Sequence, residues 1–131
     1  MSNQIAPKRP LSPHLQVYRL PLTALMSITH RLTGAALALG MLIVAGFFLA
    51  AATSEEYYDM LMRAADTVGG KAILCLWSAA LYYHMCNGIR HMFWDTGMFL
   101  EKDQANRTNY AVLMVAFMLV AGTWVYAYYV N

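Results

Sequence analysis

Three long stretches without a charged side chain set the strongest limit on how this chain can fold. Residues 32–52, 72–89 and 110–130 contain no Asp, Glu, Lys or Arg. As α-helices, each is about long enough to cross the roughly 30 Å hydrocarbon core of a bilayer. Backbone groups in lipid must bond within the protein, and the stretches lack the period-two alternation of barrel strands. We therefore predict an all-α integral membrane protein with three transmembrane helices.

The composition excludes several other classes of protein. Of the 131 residues, 60% are hydrophobic and 12% are charged, against about 25% charged in an ordinary soluble domain. A water-soluble helical bundle would need a polar face on each helix, and these stretches offer only scattered small polar residues and one histidine. The net charge of +2 is spread along the chain, without the basic cluster expected of a nucleic-acid-binding protein.

The whole chain, residues 1–131, is interpreted as one membrane domain that forms part of a larger helical bundle. The first helix is expected to begin before its charge-free part, because Pro21 is well placed just ahead of a helix start. The predicted N-terminal segment and three transmembrane helices lie at about 1–22, 23–52, 68–94 and 108–130.

Charges outside the spans predict the orientation in the membrane. Residues 1–31 carry four basic side chains and no acidic one, whereas residues 53–71 carry four acidic and two basic side chains. Because basic segments stay inside, the N-terminus is predicted to be cytoplasmic and, after three spans, the C-terminus outside. The first 31 residues lack the pattern of a signal or transit peptide. We therefore expect a bacterial cytoplasmic (inner) membrane, with the mitochondrial inner membrane as the alternative.

A polar pattern marks the start of the first helix. Ser27, His30, Arg31 and Gly34 are spaced i, i+3, i+4 and i+7, so one face presents a hydroxyl, an imidazole, a guanidinium and a gap. This is the outline of a site for an anion or a carbonyl group. The alternative is that Arg31 reaches the headgroups while Ser27 and His30 meet solvent.

His84 lies inside the second charge-free stretch, six residues before Arg90 and roughly 9 Å deeper along a helix. An ionisable group at such depth is a functional candidate by default. A neutral imidazole can ligate haem iron through one nitrogen while the other donates to a carbonyl. The alternative is a histidine hydrogen-bonded to a neighbouring helix.

His91 follows His84 by seven residues, and the resulting separation of roughly 10 Å along the axis excludes both from one iron. No other histidine of the chain is predicted at the depth of His84, so a second ligand would have to come from a partner chain. The chain has no Cys-x-x-Cys-His motif, and any haem would therefore be a non-covalent b-type haem. It also lacks a Gly-rich phosphate loop and a cysteine cluster, so flavin or iron–sulfur clusters would belong to other subunits.

Three motifs give the chain a family resemblance. They are Arg-Pro-Leu-Ser-Pro-His-Leu-Gln-Val-Tyr at 9–18, Ser-x-x-His-Arg-x-x-Gly at 27–34, and His-x-x-x-Gly-x-Arg-His-x-x-x-Asp at 84–95. Together they resemble the succinate dehydrogenase cytochrome b subunits, the haem-binding membrane anchors of respiratory complex II, over the whole chain. The resemblance implies a second small anchor subunit, an iron–sulfur subunit and a flavoprotein subunit with FAD. The complex would pass electrons from succinate to ubiquinone.

The resemblance also implies roles for individual residues toward haem b. His84 corresponds to the axial ligand of the iron, and the partner anchor subunit would supply the opposing histidine. His30 and Arg31 suit the propionate side, because cations pair there with carboxylates. His91 is a further candidate on the same side.

For ubiquinone, the resemblance implies that Ser27 and Arg31 bind the quinone and stabilise the charge that develops on its reduction. Asp95 and Glu101 are candidates for a proton path from the cytoplasm, with a solvated loop as the alternative. The chain is not expected to be catalytic alone, but as a subunit of succinate dehydrogenase. Two other interpretations stay open, a non-catalytic membrane scaffold and a fumarate-reductase-type anchor that works with a different quinone.

Overall fold

The computed structural model describes residues 19–130, which form four α-helices joined by short connections. The helices are α1 (Leu22–Thr53), α2 (Glu55–Asp66), α3 (Val68–Asp95) and α4 (Lys102–Val130). The prediction of an all-α fold is confirmed for this part of the chain. The motif at 9–18 and most of the predicted N-terminal segment lie outside the described residues.

Helix α1 begins directly after Pro21, whose backbone is extended with φ −63° and ψ 152°. The Pro21 carbonyl accepts the first bonds of the helix, from the backbone N–H groups of Ala24 and Leu25. The helix then runs for 32 residues, a length of about 48 Å at 1.5 Å per residue. It therefore exceeds the hydrocarbon core of a bilayer, and its first turns can stand at the membrane boundary.

Residues between the first two predicted transmembrane helices are mostly helical, because α2 occupies Glu55–Asp66. Ser54 caps this 12-residue helix by accepting from the backbone N–H of Tyr57. Glu55 and Glu56 lie in the first turn and Arg63 in the last. At these ends the charges interact favourably with the helix dipole. Local capping and charge placement thus form a short helix between the first two predicted spans.

The connection from α3 to α4 reverses the chain over residues 96–101. Gly97 (φ 83°) and Phe99 (φ 60°) both have left-handed backbone there. Helix α4 begins at Lys102, six residues before the predicted membrane span. The polar turns at the start of α4 can meet water while their backbone hydrogen bonds continue the helix. The charged residues there therefore indicate where the membrane begins, and the helix itself extends beyond it.

Two of the described helices, α1 and α4, are long and apolar enough to cross a membrane. Only 11% of the most apolar window of either helix is buried inside the molecule, unlike the core helices of soluble proteins. Large side chains such as Ile43 (75% exposed) and Phe117 (72% exposed) face outward. Helix α3 does not meet the same criterion, since His84, Asn87 and tyrosines interrupt its apolar residues. A third span on α3 stays a prediction.

Helix α3 packs between α1 and α4, and a small core joins the three. It consists of Met26, Cys86, Val112 and Ala116. Farther along, the Trp77 ring packs against Gly40 of α1, where a Cβ would overlap the ring. Trp124 of α4 donates its indole N–H to the Ser78 hydroxyl at 3.0 Å.

Candidate functional site

The candidate site lies where α3 meets the first half of α1, and its centre is the contact between His84 and Gly34. A Cβ placed at Gly34 would lie 2.7 Å from Cε1 of His84 and 3.4 Å from its Nδ1. The gap predicted on the α1 face is therefore filled by the imidazole of α3. His84 is half-buried there.

Hydrogen bonds to α1 fix which nitrogen of His84 carries the proton. Its Nδ1 lies 3.1 Å from the backbone carbonyl oxygen of His30 and 3.2 Å from the hydroxyl of Thr33. A carbonyl oxygen only accepts, so Nδ1 of the neutral ring is the donor. Nε2 then keeps its lone pair. This is the arrangement in which metal-ligating histidines are usually held.

The structure brings the three candidate histidines together. The His30 ring stacks on the His84 ring, with centroids 3.9 Å apart and planes 10° from parallel. The His91 ring lies 5.1 Å from that of His30 and contacts the edge of Trp94 at 5.0 Å. Nδ1 of His30 is buried and has no hydrogen-bond partner in the described part of the chain. This orphaned atom marks a place for a polar group that the three helices do not supply.

Ser27 and Arg31 lie one helical turn apart on α1, at the edge of the histidine cluster. Ser27 is half-buried and Arg31 is exposed. Neither side chain has a hydrogen-bond or salt-bridge partner among residues 19–130. The charge of Arg31 nevertheless acts on His91. The pair thus offers a free hydroxyl and a free cation beside the histidines.

Asp95 and Glu101 lie at the two ends of the connection between α3 and α4, and both are exposed. Asp95 is the last residue of α3, and its charge also acts on His91. The Glu101 carbonyl accepts the backbone N–H of Ala105 at the start of α4. The two carboxylates therefore share one end of the bundle with the histidine cluster and can exchange protons with water.

A buried polar network beside the site was not found by sequence reasoning. Arg90 (3% exposed) donates through Nη1 to the Oδ1 of Asn109 (0% exposed), and Asn109 donates to the Thr23 hydroxyl at 2.8 Å. The Arg90 guanidinium also lies 4.4 Å from the centre of the Trp94 ring. The sequence placed Arg90 and Asn109 at the boundaries of the charge-free stretches. Only packing reveals that the two side chains turn inward toward each other.

A second set of hydrogen bonds from α3 meets the backbone of α1 at Met26. Tyr83 donates its hydroxyl to the Met26 carbonyl at 2.9 Å and lies 2.6 Å from the Thr29 hydroxyl. Asn87, fully buried, donates to the same carbonyl at 3.4 Å. Since Tyr83 and Asn87 flank His84 in sequence, their bonds to the Met26 carbonyl fix the rotation of α3 that points His84 at α1.

Within residues 19–130 no three His, Cys, Asp or Glu side chains converge as a metal cage. His30 cannot share an iron on the opposite side from His84, because its ring lies face to face with that of His84. Among the three described histidines, only His84 has a ring nitrogen held by hydrogen bonds, and this leaves its Nε2 unbonded.

Long apolar helices with an apolar exterior, joined around a histidine cluster, are features of a helical membrane protein. The sequence model of the succinate dehydrogenase/fumarate reductase transmembrane subunit family matches residues 6–123. The chain belongs to this family.

Named relatives agree with the family. The succinate dehydrogenase cytochrome b556 subunit of Paracoccus denitrificans is 41% identical over 115 residues, which cover 88% of each chain. That of Rickettsia felis is 36% identical over 122 residues, 93% of this chain and 95% of the relative. The mitochondrial cytochrome b560 subunit of Dictyostelium discoideum is 42% identical over 92 residues, 68% of this chain and 46% of the relative. The relatives are thus cytochrome b subunits of an enzyme complex, from bacteria and from a mitochondrion.

Proposed function

We propose that this chain is a membrane anchor subunit of a succinate:ubiquinone oxidoreductase. In this role it binds haem b together with a second anchor subunit and contributes to the site of ubiquinone reduction. The observation that carries the proposal is the orientation of His84. Its Nδ1 is bonded to the His30 carbonyl, and its Nε2 is left to bind iron. The cytochrome b names of the relatives support the same cofactor.

The residues around His84 fit a b-type haem. Nε2 of His84 would be the axial ligand, since Nδ1 is held by α1 and the residue is only half-buried. The orphaned Nδ1 of His30, the exposed Arg31 and the nearby His91 would face the propionate side, where donors and a cation stabilise carboxylates. When bound, the haem would supply a one-electron redox centre.

The second axial ligand is proposed to come from the partner anchor subunit. His30 and His91 are the other histidines of the described residues, and the His30 ring lies parallel to that of His84 at 3.9 Å. His91 lies two turns of α3 away from His84, too far for the same iron. The fourth histidine, His14, lies in the N-terminal segment outside the described residues. A partner histidine that faces α3 would complete the pair.

Ser27 and Arg31 are proposed to bind the ubiquinone headgroup. A hydroxyl and a guanidinium one turn apart can donate to a quinone oxygen and stabilise the negative charge that develops there. Both side chains lack a competing partner among residues 19–130. Reduction to the quinol consumes two protons, which Asp95 and Glu101 could relay from the aqueous side of the connection between α3 and α4.

The remaining chemistry is proposed to belong to partner subunits. A flavoprotein with FAD would oxidise succinate, and an iron–sulfur subunit would carry the electrons to the membrane. Both would lie on the side of Asp95 and Glu101, at the cytoplasmic face of a bacterial inner membrane or the matrix face of a mitochondrion. The N-terminus would then be inside and the C-terminus outside.

The test is a dithionite-reduced minus oxidised spectrum of the detergent-purified complex, together with identification of the co-purifying chains. We expect a b-type haem band that is lost or weakened in His84→Ala. A wild-type complex that contains flavin and iron–sulfur subunits without haem would contradict the haem assignment and favour the scaffold. Ile73→Ala, at an exposed position of α3 away from the histidines, is the matched control, because it should leave the low-spin band in place.

A fumarate-reductase-type anchor is the second candidate, since the family description includes both directions. The two candidates differ in the quinone that works with the complex. Faster reduction of ubiquinone by succinate than oxidation of a low-potential quinol by fumarate would support the first. The opposite ratio would support the second.

A further inference from the structure

We propose that Thr33 is a positioning residue for the haem ligand. Together with the His30 carbonyl, it holds His84 as the Nδ1–H tautomer and increases the basicity of Nε2. The inference rests on the proposed haem-binding function and concerns a residue of α1 that touches neither iron nor quinone in that proposal.

The first step concerns the single proton of the Thr33 hydroxyl. Its Oγ1 lies 2.9 Å from the Thr29 carbonyl and 3.0 Å from the His30 carbonyl, one turn back along α1. Both oxygens can only accept, and Nδ1 of His84 carries its own proton for the His30 carbonyl, so the hydroxyl proton goes to one of the two carbonyls. Toward Nδ1 of His84, at 3.2 Å, Thr33 therefore presents a lone pair.

The second step concerns His84. Its Nδ1–H now faces two acceptors, the His30 carbonyl at 3.1 Å and the Thr33 hydroxyl. The opposite tautomer would set the Nδ1 lone pair against the lone pairs of the His30 carbonyl. Two acceptors therefore disfavour that tautomer and resist rotation of the ring. The close fit of Cε1 against Gly34 further limits movement of the ring.

The consequence is electronic as well as geometric. An acceptor on the distal N–H of a ligating imidazole raises the basicity of the ligand. A more basic ligand stabilises ferric over ferrous iron, so the Thr33 hydroxyl should lower the midpoint potential of the haem. Removing the hydroxyl should move the potential in the positive direction.

Thr29 provides a matched control one turn earlier on the same helix. Its hydroxyl makes the same kind of bonds back to α1, to the Leu25 carbonyl at 3.0 Å and the Met26 carbonyl at 3.2 Å. Across the interface it meets Tyr83 and not His84. Loss of the Thr29 hydroxyl should therefore disturb α1 about as much as loss of the Thr33 hydroxyl, without removing a contact to His84.

The experiment is a redox titration of the haem, with electron paramagnetic resonance of the oxidised low-spin signal, in the intact complex. Wild type is measured beside Thr33→Val, Thr33→Ser and Thr29→Val. We expect a positive shift of the potential and an altered signal in Thr33→Val, values near wild type in Thr33→Ser, and no shift in Thr29→Val. Haem loss in Thr33→Val alone, restored in Thr33→Ser, would also support the role.

Two results would overturn the inference. One is an unchanged potential and signal in Thr33→Val with full haem content. The other is an equal change in Thr33→Val and Thr29→Val, which would assign the effect to the packing of α1. Absence of haem from the wild-type complex would be seen before any variant is compared, and it would refute the proposed function as well.

Discussion

The imidazole of His84 occupies the space that a side chain at position 34 would need. A Cβ there would lie 2.7 Å from Cε1 of His84, so glycine in α1 is a condition for the ring to reach the His30 carbonyl. Gly34 has no side chain of its own, yet it permits the orientation of His84, the proposed haem ligand.

Gly34→Ala is therefore expected to displace His84 and weaken haem binding. Overpacking of this kind costs about 1–3 kcal/mol, which corresponds to roughly 5- to 150-fold in affinity. Haem content per flavin and the low-spin spectrum measure the effect. Gly46→Ala is the control on the same helix, since a Cβ there meets no atom within 4 Å in the described structure. Equal haem loss in both variants would assign the effect to α1 helicity or insertion.

Ser27→Ala and Arg31→Ala are expected to slow quinone reduction without slowing succinate oxidation by a soluble artificial acceptor. Removing one donor that stabilises a developing oxyanion typically costs about 100- to 1,000-fold in rate. Steady-state assays with both acceptors on the same preparation separate the two steps. Thr53→Ala, at the far end of α1, should leave both rates unchanged. An equal fall with both acceptors would indicate poor assembly instead of a quinone site.

Asn109→Leu is expected to destabilise the bundle, because it removes the acceptor of the buried Arg90. Loss of a hydrogen bond to a charged group costs about 1.5–3 kcal/mol. The thermal midpoint of the purified complex should fall, while Met114→Leu, at an exposed position of α4, should change it little. The double variant Arg90→Met with Asn109→Leu should lose less than the sum of the single losses. Additive losses would show that the two residues are not coupled.

The exposed ion pair between Asp66 and Lys71, at 2.8 Å, predicts a weak dependence on pH. The hydrogen bond from Lys71 lowers the pKa of the Asp66 carboxyl below its ordinary value. Its contribution to stability is therefore present above the unfolded pKa and is lost as pH falls through the folded pKa. Because solvent screens both groups, Asp66→Asn should lower the thermal midpoint only slightly at neutral pH. A difference from wild type that persists in acid or high salt would contradict this.

Sequence reasoning reached the helical class and several site residues for identifiable reasons. Long charge-free stretches predict helices, since lipid leaves few other ways to satisfy the backbone. The spacing of Ser27, His30, Arg31 and Gly34 follows from helix geometry alone. Helix α2 was missed because its signals are local, a Ser54 cap and charges at its two ends, and they are weaker than hydrophobicity over a long window.

The sequence by itself determined that the chain is helical, apolar outside, and supplied with one histidine deep in a charge-free stretch. These properties depend on composition and on periodicity along a single helix. Only the tertiary structure decided which nitrogen of His84 is free, that Thr33 faces it, and that Arg90 and Asn109 turn inward. Those facts depend on how α1, α3 and α4 are rotated against one another, and helix rotation is set by contacts between residues far apart in the sequence.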